Sequence, residues 1–599
     1  MSETMKERKD MDPQYMWDLS TLFKNDEEWN NALPELDEMI KKLPEYQGKL
    51  NNAKTIREFF DFDTHLGRKL SDFYCYASLR NCEDTRDSDA QAMEAKAYQV
   101  YTAYATAISF AEPEILSLDE DVLESIVHSD DLKPYAFNMQ KLLDQKPHVL
   151  SAKEEALLAA FTETLGAPSK ISESLQDADM TFESVTDSNG EVHELNQSNY
   201  ILLQMSEDRT LRLNAFKSFY KGFKQHINTF AATYNGCIKE AVAEAQVRHY
   251  ESSRAMSMAY EHVPGVVYDS LVDTVRKFMP EMYRYVRLRK QMLGLDELHY
   301  YDVYTPLVAG SSKSYTYEEA QQMVLDAVTP LGEDYVNRVK QAYKDRWIDV
   351  YPNNGKRGGA FSSGTYDSNP YILTSFTGTL DSVSTIAHEM GHSQHTWLSN
   401  HTQTPQNADY TLFVAEVAST VNENLLVEQL LQKTAEPKER LALLNHYLEG
   451  FKGTVYRQTM FAEFERDAHA MAERGEAITA ASMNTLYKNL IKDYFGEDLV
   501  IDDEVQYEWA RIPHFYRPFY VYKYATSYCA AVALSEAILN NEEGAVKRYL
   551  EFLSMGGSAY PLDELKHAGV DFSTPEPVSR ALTKFSQILD DVEETLKKL

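Results

Sequence analysis

Residues 379–397 read TLDSVSTIAHEMGHSQHTW, and this stretch indicates both a helix and a metal site. Apolar residues recur in it at helical spacing, namely Val383, Ile386, Ala387, Met390 and Trp397. On a helix, His388 and His392 share one face because they are four residues apart. Two imidazoles on successive turns can bind one zinc ion, each at about 2.0–2.1 Å. Glu389 follows the first histidine, where its carboxylate could take a proton from a zinc-bound water.

The pattern HExxH formed by residues 388–392 is typical of metallopeptidases. The alternative is an amphipathic helix with two incidental histidines. Asp381 or Ser382 is expected to cap the start of this helix. On a half-buried helix, histidines need polar partners, and a metal ion is one such partner. The motif and its helical setting together favour a zinc site.

A second helix, predicted from Tyr410 to Gln432, supplies a candidate for the third ligand. Its sequence is unusually apolar, which predicts burial, yet it contains Glu416 and Glu423 on one face. A buried carboxylate without a partner is costly. Glu416 follows His388 by 28 residues, enough for one helix, a loop and a return, so we predict it as the third ligand. We predict that Glu423 holds a ligand histidine by its outer N–H. Salt bridges to arginine are the alternative for both.

His395 is a rival ligand, since it lies seven residues after His388 and close to the same stripe. Three ligands along one straight helix do not converge well on a tetrahedral ion. The downstream Gly and His of the metzincin pattern are also absent. We therefore favour Glu416.

Length, charge and cysteine usage limit the class of protein. A chain of 599 residues is too long for one simple core, so two or more lobes are expected. The formal charge of −34 argues against nucleic acid and anionic membranes as partners. The four cysteines are scattered, which predicts reduced thiols in a cytoplasmic protein. Neither a signal peptide nor a membrane-spanning run is evident, so export and membrane insertion are not expected.

The chain order predicts an N-terminal, mainly helical domain over residues 1–200 and a catalytic metallopeptidase domain over residues 201–599. Residues 1–13 are expected to be disordered. Asn25 or Asp26 and the Ser151–Glu154 capping box mark helix starts. The sequence DSNG at 187–190 predicts a β-hairpin between residues 181–185 and 191–195. A long helical pattern follows, over residues 208–248.

Two short strands are predicted upstream of the HExxH helix, at residues 360–362 and 371–376. The free edge of such a strand can pair with an extended peptide and lay it beside the metal. A small structural sheet is an equally good interpretation. We predict substrate contacts at Gly359, Ala360 and Phe361.

Residues 509–528 form a second unusual segment, rich in aromatic side chains. Peptide hydrolysis builds an oxyanion, and a phenol or imidazole N–H directed at it stabilises the transition state. The predicted catalytic donors are His514, Tyr520 and Tyr522. Tyr516 and Tyr524 are predicted to contact substrate, and Tyr524 is a further candidate donor.

In combination these segments resemble the oligoendopeptidase F family, within the wider group of thimet oligopeptidase-like zinc peptidases. The resemblance lies in residues 17–19, 208–248, 358–362, 370–373, 387–393, 413–420 and 512–516. It implies a mainly α-helical, two-lobed ellipsoid with a deep central channel and a small β-sheet beside the HExxH helix. It also implies one Zn2+ per chain at the positions of His388, His392 and Glu416, with Glu389 as base. Substrate-contacting His and Tyr residues are implied in the segment that contains His514.

The function expected from residues and resemblance is a zinc endopeptidase that cuts internal bonds of short, unstructured peptides. A carboxypeptidase or dipeptidyl-carboxypeptidase is the alternative, with Arg511, Arg517 or Lys523 binding the substrate carboxylate. A non-catalytic peptide-binding protein is the alternative of another class, but it would leave Glu389 and Glu416 without a purpose. We expect a monomer, with a homodimer as the other possibility.

Overall fold

The computed structural model describes residues 5–308 and 313–599, and this part of the chain is mainly α-helical. Its α-helices are α1 (Asp26–Ile40), α2 (Ala53–Glu83), α3 (Ser88–Ile108), α4 (Ala111–Leu116), α5 (Glu120–Val127), α6 (Ala136–Gln145), α7 (Ala152–Leu165), α8 (Ala167–Ser174), α9 (Tyr200–Gln204), α10 (Arg209–Val247), α11 (Ser253–Ala259), α12 (Gly265–Lys277), α13 (Met279–Met292), α14 (Tyr317–Ala327), α15 (Glu333–Lys344), α16 (Leu380–Thr402), α17 (Leu412–Lys433), α18 (Pro437–Gly450), α19 (Arg457–Glu473), α20 (Ala480–Phe495), α21 (Tyr522–Leu539), α22 (Ala545–Leu553), α23 (Pro561–Ala568) and α24 (Glu576–Leu596). The strands are β1 (Val185–Thr186), β2 (Val192–His193), β3 (Leu298–His299), β4 (Ile348–Asp349), β5 (Phe361–Ser363), β6 (Tyr371–Leu373) and β7 (Leu499–Val500). The predicted fold class, mainly helical with a small sheet, is confirmed.

The chain forms two compact units, each built from three segments. Unit 1 comprises Met1–Val149, Lys313–Gln429 and Leu534–Val570. Unit 2 comprises Leu150–Ser312, Leu430–Ala533 and Asp571–Leu599. The predicted domains 1–200 and 201–599 stay a prediction, since compactness alone assigns no function to either stretch.

Unit 1 has an aromatic core that joins distant parts of the chain. Trp29 of α1 stacks on Phe73 of α2 with ring centroids 4.2 Å apart. Trp17 packs edge-on against Tyr371 of β6, at 6.3 Å. The side chain of Asn25 caps α1 by accepting a hydrogen bond from the backbone N–H of Glu28, as the sequence predicts.

The predicted disorder of residues 1–13 is wrong between Arg8 and Pro13, where two 3₁₀ turns begin. Arg8 forms ion pairs with Glu83, at 3.0 Å, and with Asp349, at 2.6 Å. The polar composition of this segment therefore reflects a network with remote acidic residues, which local sequence does not reveal.

The three-stranded sheet of unit 1 has the order β4-β6-β5. β6 pairs parallel with β4 and antiparallel with β5, with Ser362 opposite Ile372. The strand nearest to α16 in sequence is thus the central one, and both of its edges are occupied. In the described chain the outer strands of the sheet are β4 and β5, and the prediction of peptide pairing concerns β5, which contains Phe361.

Helices α16 and α17 pack closely at Gly391. A methyl group there would lie 2.6 Å from the carbonyl oxygen of Ala418 and 2.6 Å from Cα of Ser419. The side chain of Asn422 donates a hydrogen bond to the carbonyl oxygen of Ala387, at 3.1 Å, and fixes the register of the two helices. The cap of α16 is Thr379, whose hydroxyl accepts from the N–H of Ser382, so the predicted caps Asp381 and Ser382 are wrong by two or three residues.

Unit 2 contains the long helix α10, which lies within the predicted helical stretch 208–248 and is capped by Asp208. The predicted hairpin is present, with Val185 opposite His193. Gly190 in its turn has a φ of 86°, a conformation that favours glycine. The capping box at Ser151 also begins its predicted helix, α7.

All four cysteines are buried, free thiols, in line with the prediction of no disulfide framework. No helix within residues 5–308 and 313–599 has the length and apolar character needed to cross a membrane.

Replacing Gly391 by Ala should separate α16 from α17, because the added methyl group meets rigid backbone. Overpacking of this kind costs about 1–3 kcal/mol. We expect a lower thermal unfolding midpoint and a lower content of bound metal. The matched control is Gly67→Ala on α2, where an added methyl group meets nothing within 4 Å. An unchanged midpoint and metal content in the Gly391 variant would contradict this account of the contact.

Candidate metal centre and active site

The three predicted metal ligands converge in unit 1. The Nε2 atoms of His388 and His392 lie 3.2 Å apart. Each of them lies 3.4 Å from Oε2 of Glu416. A tetrahedral ion with bonds of about 2.0–2.1 Å holds its ligand atoms about 3.3–3.4 Å apart. The residues therefore fit a single ion of zinc size, with a fourth position left for water or substrate.

The carboxylate of Glu423 contacts Nδ1 of His388. This is the position expected for a residue that holds a ligand histidine by its outer N–H. An N–H at Nδ1 leaves the lone pair of Nε2 directed toward the ion. Burial lowers the pKa of His388, but hydrogen bonds to Glu416 and Glu423 outweigh it and raise that pKa to about 10. Burial raises the pKa of Glu416, and the two histidines overcome this and hold it well below its usual range. The carboxylates of Glu416 and Glu423 therefore strongly favour a positive charge at this site.

Glu389 lies between the two ligand histidines on α16, and its side chain is buried. Burial raises its pKa, opposed by the neighbouring histidines. A carboxylate with a raised proton affinity beside the ligands is suited to accept a proton.

His395 is excluded from the ligand cluster by its surroundings. Its ring is buried and stacks on Tyr410, with centroids 3.7 Å apart. Burial lowers its pKa to about 3, so it is neutral. The preference for Glu416 over His395 agrees with the geometry.

In unit 2, three of the predicted aromatic-segment residues lie together. The phenol of Tyr524 is 3.5 Å from Nε2 of His514. The rings of Tyr520 and Tyr524 meet edge-on, with centroids 5.2 Å apart. His514 is exposed, while both tyrosines are half-buried. This trio, His514, Tyr520 and Tyr524, presents an imidazole and two phenols at one surface.

Tyr522 and Tyr516 are directed elsewhere. Tyr522 is buried, and its ring packs 5.0 Å from that of Tyr268, so substrate has no access to its phenol here. The catalytic prediction for Tyr522 therefore lacks support from its position. Tyr516 shares a hydrogen bond with Thr233, at 2.7 Å. Tyr516 and Tyr522 therefore have partners other than the trio.

Sequence reasoning missed Glu465, which fixes the backbone between Tyr516 and Tyr520. Its Oε1 accepts a hydrogen bond from the N–H of Phe519, at 2.8 Å. Phe519 has a φ of 56°, which is costly for a bulky residue. Glu465 is fully buried, and burial raises its pKa well above the usual value. An acidic residue within an otherwise apolar face of α19 was the available signal.

The cations suggested for a carboxypeptidase are largely engaged. Arg511 and Glu508 form an ion pair at 3.4 Å, and Lys523 pairs with buried Glu261. Arg517 lies over the ring of Tyr520, 4.3 Å from its centroid.

Predicted substrate residues Ala360 and Phe361 line a cavity of about 1240 Å³ within unit 1. Gly359 is exposed beside them, with a φ of 86°. Ser362 of β5 and Ser393 of α16 share a hydrogen bond at 2.8 Å. The edge strand is thereby joined to the residue that follows the ligand His392.

Comparison with known proteins shows the family to which the chain belongs. The profile of Peptidase family M3 matches residues 202–584, and the N-terminal profile described as Oligopeptidase F matches residues 114–182. This chain belongs to peptidase family M3, and the resemblance to oligoendopeptidase F is confirmed. It is therefore a peptidase of a metallopeptidase family.

Individual relatives match over nearly the whole chain. Oligopeptidase PepF of Bacillus subtilis is 44% identical, covering 99% of this chain and 89% of the relative. Group B oligopeptidase PepB of Streptococcus agalactiae is 40% identical, covering 99% and 98%. The crystal structure of oligoendopeptidase-F from Enterococcus faecium has a TM-score of 0.75 and 36% identity, covering 96% and 100%.

Removing a ligand should remove the metal. We expect Glu416→Ala to lose most bound zinc, because two histidines do not complete the site, whereas Glu423→Gln should weaken zinc binding by only about 10–100-fold. Metal analysis of the purified variants after dialysis against graded chelator measures both. Full zinc retention by Glu416→Ala would exclude this residue as a ligand.

Glu465→Leu should destabilise unit 2, because the N–H of Phe519 loses its buried acceptor at a cost of about 1–3 kcal/mol. Glu465→Gln retains an acceptor and no charge, so its thermal midpoint should stay close to that of the wild type. Equal midpoints for the Leu and Gln variants would show that the hydrogen bond contributes nothing.

Proposed function

We propose that this protein is a zinc-dependent endopeptidase that hydrolyses internal bonds of short, unstructured peptides. The observation that carries the proposal is the triangle of His388, His392 and Glu416 ligand atoms beside buried Glu389. Two histidines and one carboxylate are a typical donor set of catalytic zinc. When bound, the ion would polarise the scissile carbonyl and make water more acidic.

The chain's own residues perform the proton transfers in this proposal. Glu389 takes a proton from the attacking water and passes it to the leaving amine. Glu423 holds His388 in one tautomer, so that the ligand set stays directed at the ion. For His514, Tyr520 and Tyr524, the role of oxyanion donors stays a prediction.

Strand β5 supports the choice of substrate. An extended peptide can add to its edge through backbone hydrogen bonds, beside Gly359, Ala360 and Phe361. Only a segment with free backbone groups can do so, which favours short, unstructured peptides over folded proteins. The ion pairs of Arg511 and Lys523 leave few cations for the carboxylate grip of a carboxypeptidase. A central channel around the substrate stays a prediction.

The setting of the enzyme is also part of the proposal. Four free thiols favour the cytoplasm. The charge of −34 is the reason to expect neither nucleic acid nor membrane as a partner. Action as a monomer, rather than a homodimer, is our working expectation.

Glu389→Gln should lower kcat by about 10²–10⁴-fold, because the amide cannot accept the proton. Bound zinc and peptide affinity should be retained, which separates a lost base from a lost site. Asp381→Asn, at the exposed start of the same helix, is the matched control and should keep full activity. Substantial residual turnover in Glu389→Gln would exclude it as the base.

Cleavage-site mapping on a peptide library, with and without chelator, tests the reaction itself. We expect internal cuts that stop when zinc is removed and return when it is restored. C-terminally amidated peptides should be cut as well as free ones, since an endopeptidase does not need the terminal carboxylate. Cuts confined to free C-termini would favour the carboxypeptidase alternative.

A further inference from the structure

The cavity of about 1240 Å³ in unit 1 is lined mainly by three groups of residues, which we call its walls, with further contributions from Asn138 and the segment 405–409. Residues 360–364, which include β5, form the first wall, and Thr396 and Asn400 of α16 belong to the second. Helices α2 and α3 form the third. Ordinary small-molecule sites measure about 300–1,000 Å³, so this space is large enough for several residues of a peptide.

The cavity begins close to the metal ligands. Thr396 follows His392 by four residues on α16, which corresponds to about 6 Å along the helix axis. A peptide paired with the edge of β5 would therefore place residues near the cleaved bond in this space. Successive side chains of an extended peptide point to opposite sides, so alternate residues face α2 and α3.

Four tyrosines, Tyr74 of α2 with Tyr98, Tyr101 and Tyr104 of α3, line the third wall, and we call them the tyrosine face. The three on α3 are spaced by three residues and share one side of the helix. Tyr98 is 62% exposed and Tyr101 is 49% exposed, although large aromatic residues are usually more buried. Tyr101 contacts two others of the set, since its ring centroid lies 6.0 Å from that of Tyr74 and 6.2 Å from that of Tyr104.

The tyrosine face is held in place by a hydrogen bond, and one of the two arginines in the cavity lining is engaged in an ion pair. The phenol of Tyr104 donates a hydrogen bond to Asp63, at 2.8 Å. Arg68 in the cavity is already paired with Asp367. The second arginine of the lining, Arg357, contacts Sγ of Cys82 at 3.7 Å. The four tyrosines are the main aromatic surface of the cavity, and aromatic contact is the feature from which we infer selectivity.

We propose that the tyrosine face is a specificity subsite that binds an aromatic or bulky aliphatic side chain of the peptide, within a few residues of the cleaved bond. This inference rests on the proposed peptidase function and names its preferred substrate class. Tyrosine binds such side chains with large contact area and little loss of conformational freedom.

The test compares wild type with the double variant Tyr98→Ala/Tyr101→Ala on peptides that differ at one position, with Phe, Leu, Ser or Gly there. We expect kcat/KM for the preferred Phe and Leu peptides to fall roughly tenfold, mainly through KM, as aromatic contacts are lost. The Ser and Gly peptides should change less than about twofold. Both tyrosines are exposed, so the thermal midpoint should not move.

Tyr260→Ala is the control, because Tyr260 is 75% exposed in unit 2 and should leave the selectivity unchanged. Unaltered selectivity in the double variant would overturn the subsite while leaving the peptidase function intact. Absence of zinc-dependent cleavage by the wild type would instead overturn the proposed function. A separate measurement uses the Glu389→Gln variant, in which a fluorescent Phe peptide can bind without being cut. Removal of the two tyrosines should weaken the binding of this peptide roughly tenfold. Unchanged binding would overturn the subsite.

Discussion

The close packing of α16 against α17 at Gly391 is the constraint on which the metal centre depends. Two of the predicted ligands lie on α16 and the third lies on α17, so the distance between the helices sets the size of the triangle of candidate ligand atoms. Backbone meets backbone at Gly391, where any side chain would collide with Ala418 and Ser419. The contact is rigid because neither atom involved belongs to a movable side chain. The absence of a side chain at Gly391 therefore allows the helix spacing that the candidate metal centre needs.

Polar contacts then hold the two helices in register. Asn422 donates to the carbonyl oxygen of Ala387 and accepts from the phenol of Tyr335, at 3.1 Å. Glu423, the next residue, contacts His388. One turn of α17 thus positions both the backbone and the imidazole of the first ligand. Burying such groups is costly unless each finds its partner, so this arrangement favours one helix register over the alternatives.

Much of the fold and metal centre is predictable because local spacing determines it. Helical period placed His388 and His392 on one face, and an acidic residue in an apolar helix indicated Glu416. The features that the sequence did not indicate depend on partners that are remote along the chain. Arg8 is held by its ion pair with Asp349. Strand β6 is central because β4, which lies earlier in the sequence, also pairs with it. The burial of Tyr522 could not be predicted, because composition does not encode which residues of the aromatic segment pack inward, and its catalytic role stays a prediction.

The construction of each compact unit from three chain segments has a consequence for biosynthesis. Unit 1 includes residues up to Val570, so the contact of Trp17 with Tyr371 and the completion of the unit both wait for late parts of the chain. At about 5–20 residues per second, the ribosome needs roughly half a minute to two minutes to deliver them. During that time the early helices can pack on one another, since most of their apolar core lies within residues 17–139, while β6 and the final segment are still to come. Cutting the gene in two would therefore separate segments that belong to one compact unit.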